Sequence, residues 1–526
     1  MLGKADRQIT FSDYWLQGKI PENSYWHKIR KWAIENLNEE MFQPLFSYYG
    51  RASVSPIYTF TAMLIQLEKG YSDREMEEET RFDDRVKYGI TAPRDFDGID
   101  AVTLCDHRKR FFMSDIGRKI LLTTINQAKE AGIFEEENLH IIDSFMVWGA
   151  CAKQDTYTML YQGIKMVLKV MGFYEIAEEG RKVLKRTDYN EKNKKPKINW
   201  EDSGEKEELL EALVKDALAL VSYVKGQKEI KDDLKEAVEL LEKIALQDVD
   251  IDKDGYVTMK QGTAKDRIIS VNDPEMRHGR KTSSKLSDGY KAEIITGGEK
   301  ASIVIGIEVD GANVADGEHM SDLIDECKEN GNEIDKLYGD TAYCDWEEIE
   351  KREDEGMEFR VKVSQASNAT GGYTKEEFHI DVDNGKVTCP GGNTEEFDPE
   401  KIKEREGATV RFEADTCNQC PHKEQCTKSQ NGRTIGINPY EDRIQEQREY
   451  QKTEVFKKDY SKRANGERTI SQLTRHGGRK SRYVGKSKTK WQLIMTAINN
   501  NVKAVMGFIA KKLQDAAKGE VCPKAA

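Results

Sequence analysis

The chain has 526 residues, 37% of them hydrophobic and 33% charged, a length that allows three or four domains and a composition that fits a soluble globular protein. The first fourteen residues lack a basic region followed by an apolar stretch, and no run of about 18 apolar residues occurs, so an intracellular, cytoplasmic location is expected. Nine cysteines, an odd number without a secretory signal, argue against a disulfide framework, and the net charge of −12 argues against nucleic acid only if it is evenly spread.

It is not evenly spread. Residues 201–250 hold fifteen Asp/Glu against seven Lys, whereas residues 461–490 hold ten Lys/Arg against a single acid, Glu467. In chain order, residues 1–130 read as an all-helical N-terminal domain for DNA binding or assembly, with helical spacing over 25–37, 56–68, 73–81 and 99–112 broken by Gly70, Pro93 and Gly98. Ser72 followed by Glu75 is a capping-box pattern, which makes a helix-turn-helix-like pair around Gly70. The acids of its second helix suit it poorly to reading a DNA groove.

A strand over 139–142 is expected to end at Asp143. A helix follows from 155, then an acidic helical insertion over 173–261 whose two amphipathic stretches form an antiparallel hairpin turning near Gly226. From there the pattern predicts a hairpin (289–295 and 301–309), a helix (321–330), a strand (333–338), a helix (346–353) and a strand (359–363). With the insertion removed, the order β, β, β, α, β, α, β is the connectivity of a ribonuclease-H-like sheet. The fold class is therefore α/β, with a ribonuclease-H-like core (136–172 and 262–366, completed by 441–515), the all-α N-terminal domain, the helical insertion and a small Cys-containing β insertion over 367–440.

Two aspartates at the ends of neighbouring strands, Asp143 and Asp340, and a glutamate on a later helix, Glu467, would then converge. Three hard oxygen ligands suit Mg²⁺ or Mn²⁺, and two such ions about 3.5–4 Å apart support in-line phosphoryl transfer. Tyr460, Arg463 and Glu467 stand at i, i+3 and i+7, one face of a helix. Taken singly, Asp143 is also a turn residue, Asp340 a helix N-cap, and Glu467 an i, i+4 partner of Arg463. Cys417, Cys420 and Cys426, with Cys389 upstream, offer four thiols and one CxxC knuckle, either a structural Zn²⁺ site or reduced cysteines in a β insertion. Arg277, His278, Arg280 and Lys281 read as a basic loop before the second strand. His319 reads as a capping or core histidine, or as a neighbour of the site.

The ordered blocks SPIYTFTAMLIQLEKGYSDREMEEE, IIDSFMVWGACAKQDTYTML, DRIISVNDPEMRHGRKTSSKLSDGYKAEI, DGANVADGEHMSDLI, LYGDTAYCD and YSKRANGERTISQLTRHGGRKSRYVGKSKTKWQLIMTAINNNVK resemble, over roughly residues 10–510, the IS1182 group of DDE insertion-sequence transposases, relatives of the IS4-like enzymes. The resemblance implies a DNA-cleaving and strand-transferring enzyme that holds metal on Asp143, Asp340 and Glu467. It also implies backbone phosphates gripped by Arg463, Arg475, Arg479, Lys480, Arg482 and the 277–281 cluster, with Tyr460 orienting a phosphate or packing against DNA. The partners it implies are terminal inverted repeats and target DNA, bound by a homodimer. IS4-like enzymes carry a Lys seven residues beyond the Glu; Thr474 stands here, with Arg475 beside it. The competing expectations are an inactive or domesticated DNA-binding derivative and a metal-dependent nuclease of the same fold.

Overall fold

The computed structural model describes residues 1–6, 16, 18–136, 138–189, 192, 194–282, 285–368 and 371–520. The N-terminal region is helical: α1 (Tyr25–Asn36), α2 (Pro56–Lys69), α3 (Asp73–Phe82), α4 (Ala101–Phe112) and α5 (Ile116–Glu130) are its longer elements. Local chemistry sets their ends. Pro56 opens α2 behind the Ser55 cap, Gly70 closes it at φ 75°, and Ser72 and Glu75 form the expected capping box of α3. Every residue of α2 from Pro56 to Leu67 is buried, so this helix is the spine of the region.

β1 (His140–Trp148) follows, then α6 (Thr156–Phe173), α7 (Ser203–Lys225) and α8 (Asp232–Gln247). The acidic hairpin turns after Lys225 as expected, and α6, α7 and α8 share a hydrophobic cluster of their own, built on residues such as Tyr161, Leu213, Leu220 and Leu241. Most acids of the hairpin are exposed or half-buried, but Asp216 of α7 is buried and accepts from the Lys185 and Arg186 N–H groups and the Tyr189 hydroxyl.

The chain then returns to the sheet through β2 (Arg277–Thr282), β3 (Lys285–Gly297), β4 (Ile303–Gly311), α9 (Met320–Glu329), β5 (Lys336–Tyr338), α10 (Trp346–Asp354) and β6 (Glu358–Arg360). Along the sheet the order is β2, β3, β1, β5, β6, with β4 lying beyond β2 on the same edge of β3. β1, β5 and β6 run parallel, and β3 is antiparallel to β1.

Two expectations need correcting. β1 does not stop at Asp143: it pairs with β3 from Ile141 opposite Thr296 to Trp148 opposite Gly289, because the apolar alternation continues through Phe145 and Val147. The 277–281 segment is no loop either. Its backbone pairs with the start of β3 even though its side chains are polar, so no hydrophobic alternation announces it.

Beyond β6 lies a Cys-containing segment: β7 (His379–Asp381), β8 (Lys386–Thr388), β9 (Thr394–Glu396), β10 (Ala408–Arg411) and β11 (Thr434–Ile437), around a small cluster of Phe378, Ile380, Val387, Phe412 and Ile435. The chain closes with α11 (Glu441–Tyr450), α12 (Glu454–Tyr460), α13 (Ala464–Leu473) and α14 (Lys486–Glu520).

By length and composition α14 is apolar enough to cross a membrane. It is instead the bolt of the molecule: Ala497, Ile498 and Val502 are fully buried in the cluster that joins the N-terminal helices to the sheet. Three consecutive asparagines make that junction specific. Asn499 accepts from Tyr25 (3.0 Å) and donates to Glu68 (2.8 Å), and Asn500 donates to the Ser302 carbonyl (3.0 Å). Asn501 pairs with both the N–H (2.8 Å) and the C=O (2.9 Å) of Val304, as a neighbouring strand would.

Candidate active site

Asp143 projects from the middle of β1 and is mostly buried. Asp340 follows β5 by two residues and caps a short 3₁₀ turn, its Oδ1 accepting from the Ala342 N–H at 2.8 Å, so the N-cap role weighed from sequence is present. Because β5 lies directly beside β1, with Ile141 opposite Tyr338, the two aspartates share one end of the parallel pair. Glu467 sits in the first turn of α13. That helix lies flat on β1 because residue 466 is glycine: a Cβ there would come within 2.8 Å of Ile141 Cγ2.

Arg463 binds the arrangement. Its Nη1 donates to Asp143 Oδ2 at 3.0 Å and its Nη2 lies 3.8 Å from Glu467 Oε1. Burial pushes the Asp143 carboxyl up; the Ser144 N–H and Arg463 pull it down, and Asp340 pushes it up again. Asp143, Tyr460, Asp340 and Glu467 all hold the Arg463 guanidinium in its charged form, against the cost of burial. Tyr460 donates its hydroxyl to the Gly339 carbonyl (3.0 Å), stacks on Phe456 and carries Lys362 over its ring at 4.5 Å. Arg463 thus neighbours both Tyr460 and Glu467, but across a join of α12, a 3₁₀ turn and α13 and not on one continuous helix.

Among the described residues, no three His, Cys, Asp or Glu side chains stand close enough to hold a metal ion. Glu467 is 68% exposed, and a guanidinium lies between it and Asp143. Close carboxylates repel, and the arginine is the cation that offsets them. The oxygen-only donor set nevertheless suits a hard divalent ion. The buried Tyr343 hydroxyl, which has no hydrogen-bond partner among the described residues, lies near Glu293, Asp143, Asp316 and Asp340, and burial together with these carboxylates pushes it up.

Sequence reading missed the supports on the opposite face of β1. Ser144 donates to Asp316 (2.9 Å), which Lys291 also pairs (2.7 Å). Buried Glu293 accepts from the backbone of Gly317 (2.6 Å) and His319 (3.2 Å), so His319 reaches the network through its N–H while its ring lies 3.4 Å from Asp310. Only the pairing register of β1 and β3, which sets Glu293 opposite Ser144 from far along the chain, reveals Glu293.

The remaining candidates divide. Arg277 is committed to Asp266 and to the carbonyls of Pro274 and Met276, and His278 to Asp288. Arg280 is exposed, and the side chain of Lys281 lies outside the described residues. Thr474 turns its hydroxyl back to Ser471 and opens a π-helical turn through Gly478, while Arg475, Arg479 and Lys480 are exposed and Arg482 half-buried. Cys389, Cys417, Cys420 and Cys426 are free thiols around one small apolar hollow, near enough that the other three push the Cys426 thiol up in addition to burial.

A family model described as "Transposase DDE domain" matches residues 388–506, and one described as "Transposase domain (DUF772)" matches residues 15–110. The chain is a transposase of the DDE type. The pair of domains is the one typical of the IS1182 family, in agreement with the resemblance drawn from its sequence blocks. The transposase matches no curated protein and no solved structure. It acts on DNA, and enzymes of its domain type generally work with divalent metal ions.

Proposed function

We propose that this transposase cleaves the ends of its own insertion sequence and joins them to target DNA at a site made by Asp143, Asp340 and Glu467. The observation that carries the reading is that Arg463 bridges Asp143 of β1 (3.0 Å) and Glu467 of α13 (3.8 Å) while Asp340 follows β5, the strand beside β1. The strand order and the parallel β1, β5 and β6 fit a ribonuclease-H-like core. Asp143, Asp340 and Glu467 would hold Mg²⁺ or Mn²⁺, which supplies Lewis acidity for phosphoryl transfer. The chain's own part is positioning: Tyr460 fixes the turn at Gly339 and so the Asp340 backbone, and Arg463, released from Asp143, turns to a backbone phosphate. Exposed Arg475, Arg479, Lys480 and Arg280, with half-buried Arg482, would serve as further phosphate contacts.

Joining two ends calls for two active sites, hence a homodimer assembled on terminal repeats, in the cytoplasm at the nucleoid. Residues 1–130 would serve assembly and DNA binding, with the acidic helices as an insertion into the core. Purified protein, incubated with its element's ends, target DNA and Mg²⁺, is expected to yield joined products. Nicks without joining would instead mark a nuclease, and retarded DNA without cleavage a decayed binding protein.

Although the four thiols do not stand close enough together as they are to hold an ion, their number and type suit tetrahedral Zn²⁺ once deprotonated, and we propose that a structural ion draws them together and closes the 367–440 segment. About one zinc per chain is expected by elemental analysis of protein purified without chelator. Cys417→Ser should release it and lower Tm; a zinc-free wild-type protein of unchanged Tm would rule the site out.

A further inference from the structure

We infer that Trp148 is a base-stacking residue, and that the DNA strand leaving the carboxylates runs along the free edge of β1 into a cationic cleft between the two family domains. This rests on the reading of Asp143 as part of the active site. On the edge of β1 away from β3, Ile141 pairs with Tyr338 of β5, and Trp148 bridges to Lys480; between them, among the described residues, Asp143 to Val147 have no strand neighbour. The gap opens at Asp143 and ends at Trp148, five residues or about 17 Å along the strand, on the order of five stacked nucleotide steps.

Trp148 is 54% exposed although it ends a core strand. Its backbone is fixed on both sides, its N–H donating to the Arg479 carbonyl (3.0 Å) and its C=O accepting from the Ser481 N–H (2.7 Å). A rigid, exposed indole beside unpaired cations has the features of a single-strand platform, in which an aromatic face takes a base and basic side chains track the phosphates.

The cleft, about 320 Å³, lies between the C-terminal end of α2 and the segment after α13, with Lys69, Arg475, Arg479, Lys480 and Arg482 around it. None of the last four has an ion-pair partner among the described residues, and Glu68, the one acid in the lining, is taken by Lys503 (2.9 Å) and His476 (3.2 Å). Its wall is held from inside. Fully buried Gln492 donates to the carbonyls of Gly477 (2.6 Å) and Lys480 (2.9 Å) and accepts from the Arg482 N–H (2.8 Å), which leaves the cationic side chains free to face outward. Gly477, at φ 104°, admits the close approach, since a Cβ there would lie 3.3 Å from Leu67 Cβ. The N-terminal helical domain thus forms one bank of the substrate path.

The test compares binding, in EDTA, of a blunt DNA duplex and of the same duplex with one unpaired end carrying 2-aminopurine. The wild type should prefer the unpaired end and change its 2-aminopurine fluorescence. Trp148→Ala should weaken binding to the unpaired end by on the order of 5- to 100-fold, abolish the fluorescence change and leave blunt-duplex affinity within about twofold. Trp148→Phe, which keeps a stacking face, should retain the preference. Arg479→Ala with Lys480→Ala should weaken both probes and reduce the salt slope by about two. Equal affinity of Trp148→Ala and wild type for the unpaired end, or equal loss on both probes at unchanged Tm, would overturn the assignment. Failure of the wild type to cleave DNA would instead strike at the catalytic reading, which this metal-free assay does not use.

Discussion

Asp143→Asn, Asp340→Asn and Glu467→Gln are each expected to slow DNA cleavage by at least about a thousandfold, the equivalent of about 4 kcal/mol of lost transition-state stabilisation. Little else should change. Asn at 143 still offers an oxygen to the Ser144 N–H (2.8 Å) and to Arg463, and it is spared the burial cost that pushes the native carboxyl up. Asn at 340 caps the Ala342 N–H as well as Asp does. Glu467 is too exposed for its charge to hold the fold together. Tm should therefore stay within a few degrees, and DNA affinity measured in EDTA should be unchanged or tighter, since each change removes a negative charge beside the phosphates. Retained cleavage in any one variant would remove that residue from the site.

Much of this arrangement was legible in the sequence, and what was not has physical causes. The alternating apolar runs of β3 and β4 and the capping box at Ser72 are local signals, and both appear where expected. The extent of β1 is not legible locally because an acid such as Asp143 looks like a strand end, yet it can stand in mid-strand when a cation such as Arg463 meets it. β2 escaped because its strand character lies in backbone pairing and in acids that match Arg277 and His278 from elsewhere. The bridge of Lys480 to Trp148 joins residues more than three hundred positions apart and leaves no periodicity in either segment. The basic run after Glu467 signalled nucleic acid, but its composition could not tell which side chains point outward. Buried Gln492 decides that.

Arg463 poses the second large effect, because one residue is asked to hold two positions. Arg463 bridges Asp143 and lies beside Glu467, so if the proposed ion sits on these carboxylates, metal and guanidinium would compete for the same oxygens. Arg463→Ala should therefore bind Mn²⁺ more tightly than the wild type while the metal-free protein is less stable. Removing one partner of a deeply buried pair costs about 3–5 kcal/mol, and with Asp143 15% and Arg463 19% exposed a loss of about 1–3 kcal/mol is expected. Added Mn²⁺ should raise the Tm of the variant more than that of the wild type, because binding to the folded state alone stabilises by mass action. Arg463→Lys, a compact cation without the planar fork, should fall between the two. Joining should still drop by at least about tenfold in Arg463→Ala, since the displaced guanidinium would no longer be there for the phosphate. A variant as stable as the wild type without metal, and no more responsive to Mn²⁺, would show that Arg463 is not the stand-in for the ion.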